Sequence, residues 1–297
     1  MLGPSTSYPR PGDRDFFREV GPARRRYQLY VPTSHGEDRS IPLVLDLHTW
    51  RGTAQIAELF NGFANVADEA GFVLARPEAV SPGGDAPPSW KLFEDEDASY
   101  VEAVVADVQA SIKVDPARIY AAGMSQGGQF AIELTSRRSA PFAAVASVAV
   151  LAHPVARAPR PTPLIAFLGR KDPIYDLGVG LDPSIFDAGV LNPPPGARPG
   201  PLGQEAGAWA SVNGCGVDPV ITGSVDGIER MKYQCPVGVD IEIFIHDGGH
   251  VWPGPWLDPD LADELELGPA TAAIDATRTI WAFFERHPRR ERGGPNE

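Results

Sequence analysis

Short apolar runs alternate with longer stretches of helical period along this chain, and that alternation restricts its fold more than any other feature. The run from Pro42 to His48 is almost continuously apolar, as a strand covered on both faces of a sheet is. Between Ala54 and Ala70, apolar residues recur every three or four positions, which predicts a helix ending at Gly71. Repetition of this order predicts an α/β fold with a mainly parallel central sheet and helices on both faces. The same reasoning predicts strands over residues 26–31, 72–76, 118–124, 142–150, 164–168 and 240–246, and helices over 97–112, 126–138 and 274–284.

The length of 297 residues fits one large domain, which we expect at residues 25–286 after an N-terminal extension, 1–24. Residues 176–203 are rich in Pro and Gly and are predicted to form a loop insertion near the site, and residues 287–297 a polar tail. The formal charge of −13 opposes binding to nucleic acid or to an anionic lipid surface. The chain also lacks a run of about 18 apolar residues, so we expect no membrane span.

The pattern Gly123-Met124-Ser125-Gln126-Gly127 lies between a predicted strand and a predicted helix. That arrangement is typical of a nucleophile elbow, in which a sharp turn exposes the serine above the sheet. Gly123 and Gly127 would relieve the clashes of such a turn, and Gly128 would let the helix pack closely. The alternative is a serine in an ordinary glycine-rich turn.

A serine hydroxyl needs a base to take its proton, and a histidine base needs an acid to fix its tautomer. In elbow-type enzymes the chain order is serine, acid, histidine, which Ser125, Asp172 and His250 supply. Asp172 and His250 each follow a predicted strand through a short loop, at the edge where open α/β sheets carry their sites. Asp176 and His246 are the competing acid and base, and we favour Asp172 and His250 over them.

Backbone N–H donors for the oxyanion are expected after the serine, at Gln126, and after an early strand, in the segment from His48 to Trp50. Asp46 and His48 share a face of that strand, so we interpret His48 as a structural partner of Asp46. Trp50 and Trp252 lie beside catalytic elements and are candidates to line a substrate cleft. The alternative for each tryptophan is a place in the core.

Two cysteines, Cys215 and Cys235, would close a loop of about 20 residues and contribute about 3 kcal/mol if they were bridged. Two buried free thiols are the alternative. The first residues show no basic region followed by an apolar stretch, so the protein stays inside the cell or has lost a signal sequence. The acidic runs at 94–97 and near 258 lack the spacing of a calcium loop, so we expect no metal site.

Several motifs together resemble the polyhydroxybutyrate depolymerase and feruloyl esterase-like branch of the α/β-hydrolases. They are YQLYVP, PLVLDLH, ADEAGFVLARPE, VDPARIYAAGMSQGG, the NGC that contains Cys215, and DGGHVWPG, and they span about residues 25 to 284. The resemblance implies an α/β-hydrolase fold and hydrolysis of carboxylic esters without a cofactor. It maps the catalytic triad onto Ser125, Asp172 and His250, and the oxyanion donors onto the N–H groups of Gln126 and Trp50.

The resemblance also implies a cysteine pair at Cys215 and Cys235, and many relatives are exported. We therefore expect an extracellular enzyme, with a cytoplasmic location as the alternative. One position departs from the family, which usually has His-Gly where this chain has His48-Thr49. A β-branched threonine resists backbone geometry that glycine permits, so Trp50 is the weakest of the assigned oxyanion donors.

Together these features predict a serine carboxylesterase that acts on polyester or hydroxyacid oligomers, or on aromatic acyl esters of the feruloyl type. A serine peptidase on the same fold would use the same three residues, and a non-catalytic binding protein could retain the fold. The oligomeric state is not indicated by the sequence.

Overall fold

A large mixed β-sheet forms the centre of the molecule. The computed structural model describes residues 16–21, 23–36, 39–81, 83, 85–137, 141–154, 160–182 and 199–289. Its strands are β1 (Phe16–Val20), β2 (Arg25–Tyr30), β3 (Ile41–Leu47), β4 (Val73–Pro77), β5 (Val114–Met124), β6 (Ala144–Val148), β7 (Leu164–Gly169), β8 (Tyr175–Asp176), β9 (Gly180–Leu181), β10 (Val220–Val225), β11 (Ile228–Lys232) and β12 (Ile241–His246). Its helices are α1 (Ala54–Asn61), α2 (Phe63–Ala70), α3 (Asp95–Ser111), α4 (Gln126–Leu134), α5 (Leu202–Val212), α6 (Pro259–Glu264) and α7 (Ala276–Arg286).

Ten strands form the sheet in the order β1-β2-β4-β3-β5-β6-β7-β12-β11-β10, and β8 and β9 form a separate two-stranded hairpin. The six central strands from β4 to β12 run parallel. Antiparallel strands flank them, β1 and β2 at one edge and β11 and β10 at the other. The parallel strands all end at one edge, so the loops after β3, β5, β7 and β12 lie on the same side of the sheet.

Two hydrophobic clusters cover the two faces of the sheet. Along β3, Leu43 and Leu45 belong to one cluster and Val44 to the other, because successive side chains of a strand point to opposite faces. Residues of α3, α4 and α5 join the first cluster, and residues of α1, α2, α6 and α7 join the second. The predicted α/β architecture with helices on both faces is confirmed.

The helix predicted over residues 54–70 is two helices in the structure, because Gly62 adopts the left-handed conformation (φ 58°) and separates α1 from α2. A Cβ at Gly62 would lie 2.3 Å from the ring of Trp256, so the close approach of this tryptophan requires glycine. Gly71 ends α2 in the left-handed conformation, as predicted.

The two edge hairpins, β1–β2 and β10–β11, are not among the elements predicted from the sequence. All of β10 is exposed, so its pattern lacks the apolar alternation of a half-buried strand. The turn that joins β10 to β11 has positive φ at Asp226 (50°) and Gly227 (76°). Asp-Gly is a characteristic sequence of such two-residue turns, and it was the signal available for this hairpin.

The ends of the predicted domain differ from the described chain in two places. β1 joins the sheet from within the segment assigned to an N-terminal extension. At the other end, His287 is buried, and its Nε2 lies 2.7 Å from Asp240 Oδ2, so this first residue of the expected polar tail packs against the domain. Residues 183–198 of the predicted insertion lie outside the described residues, whereas its last positions, from Leu202, begin the unpredicted helix α5.

Cys215 and Cys235 form a disulfide bond, so the bridged alternative is correct and the free-thiol alternative is wrong. The bond joins the end of α5 to the segment after β11. Within the described ranges, every helix is too short or too polar to cross a membrane.

Candidate active site

Ser125 occupies a sharp turn between β5 and α4. Its backbone angles, φ 53° and ψ −121°, lie outside the regions that side chains usually tolerate. The Ser125 N–H donates to the carbonyl of Val148 at 2.8 Å, which ties the turn to the neighbouring parallel strand. These angles are those of the nucleophile elbow predicted from the sequence.

The glycines around Ser125 are required by contacts with backbone atoms. A Cβ at Gly123 would lie 2.4 Å from the carbonyl carbon of Gly127, and a Cβ at Gly127 would lie 2.0 Å from the carbonyl oxygen of Leu47. At Gly128 a Cβ would lie 2.6 Å from Ser147 Oγ. The predicted roles of the three glycines are confirmed, and the contact with Leu47 brings the end of β3 against the serine turn.

Asp172 and His250 meet between the loops after β7 and β12. Asp172 Oδ2 lies 2.8 Å from His250 Nδ1, and the side chains are 0% and 3% exposed. The other oxygen, Oδ1, accepts the N–H groups of Ile174 (2.7 Å) and Tyr175 (2.8 Å). Each carboxylate oxygen therefore has a defined partner. With Nδ1–H of His250 donating to Asp172, the lone pair of Nε2 is able to accept a proton.

Backbone hydrogen bonds hold the histidine loop in place. The N–H of His250 donates to the Leu267 carbonyl at 2.6 Å, and the N–H of Gly249 donates to the Pro269 carbonyl at 2.8 Å. The N–H of Lys171 donates to the Gly248 carbonyl at 3.0 Å, which joins the loop of the acid to the loop of the histidine. Gly248 and Gly249 are both packed closely against neighbouring atoms, and a Cβ at Gly249 would lie 2.1 Å from the Leu267 carbonyl oxygen.

The competing acid and base lie elsewhere. His246 is fully buried, its Nδ1 accepts the N–H of Gly248, and burial lowers its pKa to about 4. Its ring is therefore neutral near pH 7 and enclosed by protein. Asp176 is exposed, and its Oδ1 accepts the N–H of Gly178. Neither residue lines the cavity that contains Ser125 and His250.

A cavity of about 530 Å³ opens over the serine turn. Ser125, Gln126, His250 and Trp50 all line it, so the structure brings these four sequence-predicted residues to one place. Most of the remaining lining is apolar and, apart from Met124, it comes from segments outside the sequence motifs. These further lining residues are Thr49, Arg51, Gly52, Ile56, Phe60, Met124, Ile174, Leu181, Leu265 and Leu267.

Trp252 does not line this cavity, which corrects its assignment as a substrate-binding residue. It is 1% exposed, and its ring packs edge to face against Phe63 with centroids 5.6 Å apart. Its indole N–H donates to Thr277 Oγ1 at 2.9 Å. Because this hydrogen bond satisfies the indole inside the core, the core alternative applies.

His48 has a structural role, as expected, but its partners differ from the expected one. Its Nδ1–H donates to the Thr49 carbonyl at 2.7 Å, and its Nε2 accepts the N–H of Ala79 at 2.9 Å. Burial lowers the pKa of this imidazole, so the ring is neutral. Asp46 instead binds Arg76 (2.8 Å) and Asn61 (3.0 Å). The prediction that Asp46 pairs with His48 is therefore wrong.

Trp90 fastens the segment after β3 to the serine helix, a role that the sequence reading missed. Its indole N–H donates to the His48 carbonyl at 2.8 Å, and its backbone N–H donates to Gln126 Oε1 at 3.0 Å. The ring also stacks on Phe130, with centroids 4.8 Å apart. Trp90 thus links the two segments that carry the expected oxyanion donors. No sequence motif indicates this role, because the contacts of Trp90 span three distant parts of the chain.

In the described part of the chain, no three His, Cys, Asp or Glu side chains are grouped so as to hold a metal ion. The groups that the site offers for chemistry are the serine hydroxyl, the imidazole, the carboxylate and nearby backbone N–H groups.

The sheet, the strained serine turn and the strand-end loops define an α/β-hydrolase. Among solved structures, an acetyl xylan esterase from Aspergillus awamori has this fold with a TM-score of 0.55 at 14% identity, and the match covers 84% of this chain and 98% of that one.

Residues 25–160 match the family described as esterase PHB depolymerase. The esterase-like protein NocK of Nocardia uniformis is 30% identical over 270 residues, 84% of this chain and 78% of that protein. Feruloyl esterase C of Emericella nidulans is 26% identical over 249 residues, 81% of this chain and 83% of that protein. The chain belongs to the esterase PHB depolymerase family and is a carboxylic ester hydrolase.

Proposed function

We propose that Ser125, His250 and Asp172 are the catalytic triad of this ester hydrolase. The observation that carries the proposal is the 2.8 Å contact of Asp172 with His250, in a cavity that Ser125 also lines. Asp172 fixes the tautomer and orientation of the imidazole, so that Nε2 is the atom able to take the serine proton. The strained turn exposes the hydroxyl to an ester bound in the cavity.

The reaction then has two halves. The Ser125 oxygen attacks the ester carbonyl while His250 takes the hydroxyl proton. Collapse of the tetrahedral intermediate breaks the bond to the alcohol oxygen, which receives that proton and leaves. Water next attacks the acyl-enzyme, and His250 takes a proton from it. The second collapse returns this proton to the Ser125 oxygen and releases the carboxylic acid.

The backbone N–H groups of Gln126 and Trp50 are the proposed oxyanion donors. Gln126 is the first residue of α4, where backbone N–H groups point out of the helix end and the helix dipole favours negative charge. Two bonds shape the turn that carries Trp50: Gly52 N–H donates to the Thr49 carbonyl at 2.9 Å, and Arg51 N–H donates to the Pro88 carbonyl at 3.0 Å. This packing supports a defined loop despite Thr49 at the position where the family has glycine.

The lining of the cavity supports substrates with an apolar or aromatic acyl group. Ile56, Phe60, Leu265 and Leu267 present hydrocarbon surface, and Trp50 adds an aromatic ring. We propose polyester or hydroxyacid oligomers and feruloyl-type aromatic esters as the substrate classes. The relationship to feruloyl esterase C of Emericella nidulans supports the second class.

We further propose an extracellular location, since the Cys215–Cys235 disulfide suits an oxidising compartment.

Hydrolysis of p-nitrophenyl butyrate by the Ser125→Ala variant tests the triad. We expect kcat/KM to fall by about 10⁵-fold or more, because the nucleophile is removed. Ser211→Ala is the matched control, because Ser211 is exposed on α5 and the same atom is deleted. Equal rates for wild type and Ser125→Ala, both above the uncatalysed rate, would refute the triad.

Rates for feruloyl methyl ester and hydroxybutyrate oligomers, measured side by side, then decide between the substrate classes.

A further inference from the structure

Arg51 brings a permanent positive charge to the cavity. Of the described residues that line this space, it is the one Lys or Arg, and no Asp or Glu lines the space with it. A charged group bound in the cavity would therefore meet one cation and no opposing carboxylate in the lining. The carboxylate of Asp172 lies behind His250 and is 0% exposed, so Arg51 is the charged side chain that an anion in the cavity would reach directly.

The guanidinium of Arg51 is available for a ligand. Its Cζ atom lies 5.2 Å from the centroid of the Trp50 ring, and the side chain is exposed. In the described ranges, no carboxylate forms an ion pair or a hydrogen bond with this guanidinium. Most other arginines of the described chain are engaged by carboxylates, among them Arg25 with Asp97 and Arg76 with Asp46.

The backbone at Arg51 is held in a conformation that disfavours a side chain. Its φ is 61°, in the left-handed region, which costs a non-glycine residue about 1 kcal/mol. The Pro88 carbonyl, which accepts the Arg51 N–H at 3.0 Å, helps to fix this geometry. Glycine would adopt the same backbone with less strain, so an arginine departs from the local conformational preference at this position.

We propose that Arg51 is a specificity-determining residue that binds a carboxylate carried by the substrate. A guanidinium forms two parallel hydrogen bonds to a carboxylate, which positions the group as well as attracting it. A short hydroxyacid oligomer has the matching chemistry, because it bears an ester inside the chain and a free carboxylate at one end. The inference rests on the proposed triad, and it names short oligomers with a free acid end as the preferred substrates of that site.

The net charge of −13 disfavours the approach of an anionic substrate, so a cation inside the cavity would assist its binding. The field of the whole protein repels an anion at long range, but the Debye length is about 8 Å at physiological ionic strength. Repulsion from distant carboxylates is therefore largely screened, whereas a direct contact with Arg51 is screened less. We therefore expect added salt to weaken the preference for a substrate with a free carboxylate. The loss should be smaller than for a preference that depends on long-range attraction alone.

The test uses the linear trimer of 3-hydroxybutyrate and the same trimer capped as its N-methyl amide. Both contain the same internal esters, and only the acid carries a negative charge. We expect the wild type to prefer the acid. The ratio of kcat/KM, acid over amide, should fall about tenfold in Arg51→Gln, chiefly through KM for the acid, and recover in part in Arg51→Lys.

Arg118→Gln is the matched control, because it removes the same charge from β5, about 20 Å along the strand from Ser125. It should leave the ratio unchanged. An unchanged ratio in Arg51→Gln would overturn the proposal. If the ratio is unchanged because kcat/KM falls equally for both trimers, the substitution has damaged the loop that carries Trp50. Hydrolysis of both trimers at the wild-type rate by Ser125→Ala would instead refute the triad.

Discussion

The imidazole of His250 is bound to the carboxylate of Asp172 at 2.8 Å, although 78 residues separate them in the chain. Two features place them: adjacent parallel strands, β7 and β12, end at the same edge, and Lys171 N–H bridges the two loops through the Gly248 carbonyl. The pair is nine-tenths or more buried, so its hydrogen bond acts in a medium less polar than water. It is the part of the site on which the proposed mechanism depends most.

Asp172→Asn tests the acid. The amide keeps the size of the carboxylate but no longer favours the Nδ1–H tautomer of His250, so we expect kcat to fall by about 10³–10⁴-fold. Asp176→Asn is the matched control, and its kcat should stay within a few-fold of wild type. Steady-state hydrolysis of p-nitrophenyl butyrate measures both. A large loss in the Asp176 variant together with a small one in the Asp172 variant would exchange their roles.

Gly127→Ala tests the close approach of β3 to the serine turn. The added Cβ would lie 2.0 Å from the Leu47 carbonyl oxygen, so either the strand or the helix has to move. We expect the free energy of unfolding to fall by about 3 kcal/mol or more, in line with overpacking and backbone strain. Gly207→Ala, where nothing lies within 4 Å of the new atom, should be neutral or slightly stabilising. Urea denaturation compares the two, and equal stabilities would contradict the contact.

Replacing Cys215 and Cys235 with serine tests the disulfide. The bridge closes a loop of 20 residues, and the loss of this constraint on the unfolded chain should lower the free energy of unfolding by about 3 kcal/mol. Neither cysteine lines the cavity, so kcat at 25 °C should be retained. Thermal denaturation under non-reducing conditions measures the change. A melting temperature equal to that of the oxidised wild type would argue against a stabilising bridge.

Glu133→Gln tests the pH dependence of stability. Burial raises the pKa of Glu133 to about 7, so between pH 4.5 and 7 the folded protein holds a proton that the unfolded chain has released. The contribution of Glu133 to the free energy of unfolding is therefore fully present below pH 4.5. It is lost as the pH rises from 4.5 through 7.

The glutamine of this variant would be neutral at every pH, and its amide oxygen could still accept the Phe93 N–H that Glu133 accepts at 2.8 Å. The free energy of unfolding of the variant, relative to that of wild type, should therefore increase as the pH rises from 5 to 8, by up to about 3 kcal/mol. Urea denaturation at pH 5, 6.5 and 8 measures the gain. A difference between the two proteins that does not change with pH would contradict the raised pKa.

Local chemistry explains why much of the site could be predicted. The glycines on either side of Ser125 are required by the turn itself, and the turn is recognisable because a strand precedes it and a helix follows. Asp172 and His250 each follow an apolar strand, so the topology of a parallel sheet is enough to bring them to one edge. The central strands could be predicted for the same reason: they are buried on both faces and read as apolar runs.

Contacts between distant segments explain what could not be predicted. Gly62 interrupts a helical pattern because Trp256 packs against it. Trp252 follows His250 closely but is buried, because Thr277 supplies a partner for its indole N–H. The burial of each ring depends on residues far away in the chain, and the periodicity of a single segment carries no information about them.

The central claim is that His250 activates Ser125, and labelling with a fluorophosphonate tests it most directly. Such a reagent forms a covalent bond with an activated serine oxygen. Mass spectrometry should find one label per chain in the wild type, on the peptide that contains Ser125, and none in Ser125→Ala. In His250→Ala the rate of labelling should fall by at least about 10³-fold. Rapid labelling of Ser125 without His250, or labelling of wild type at another residue, would contradict the account.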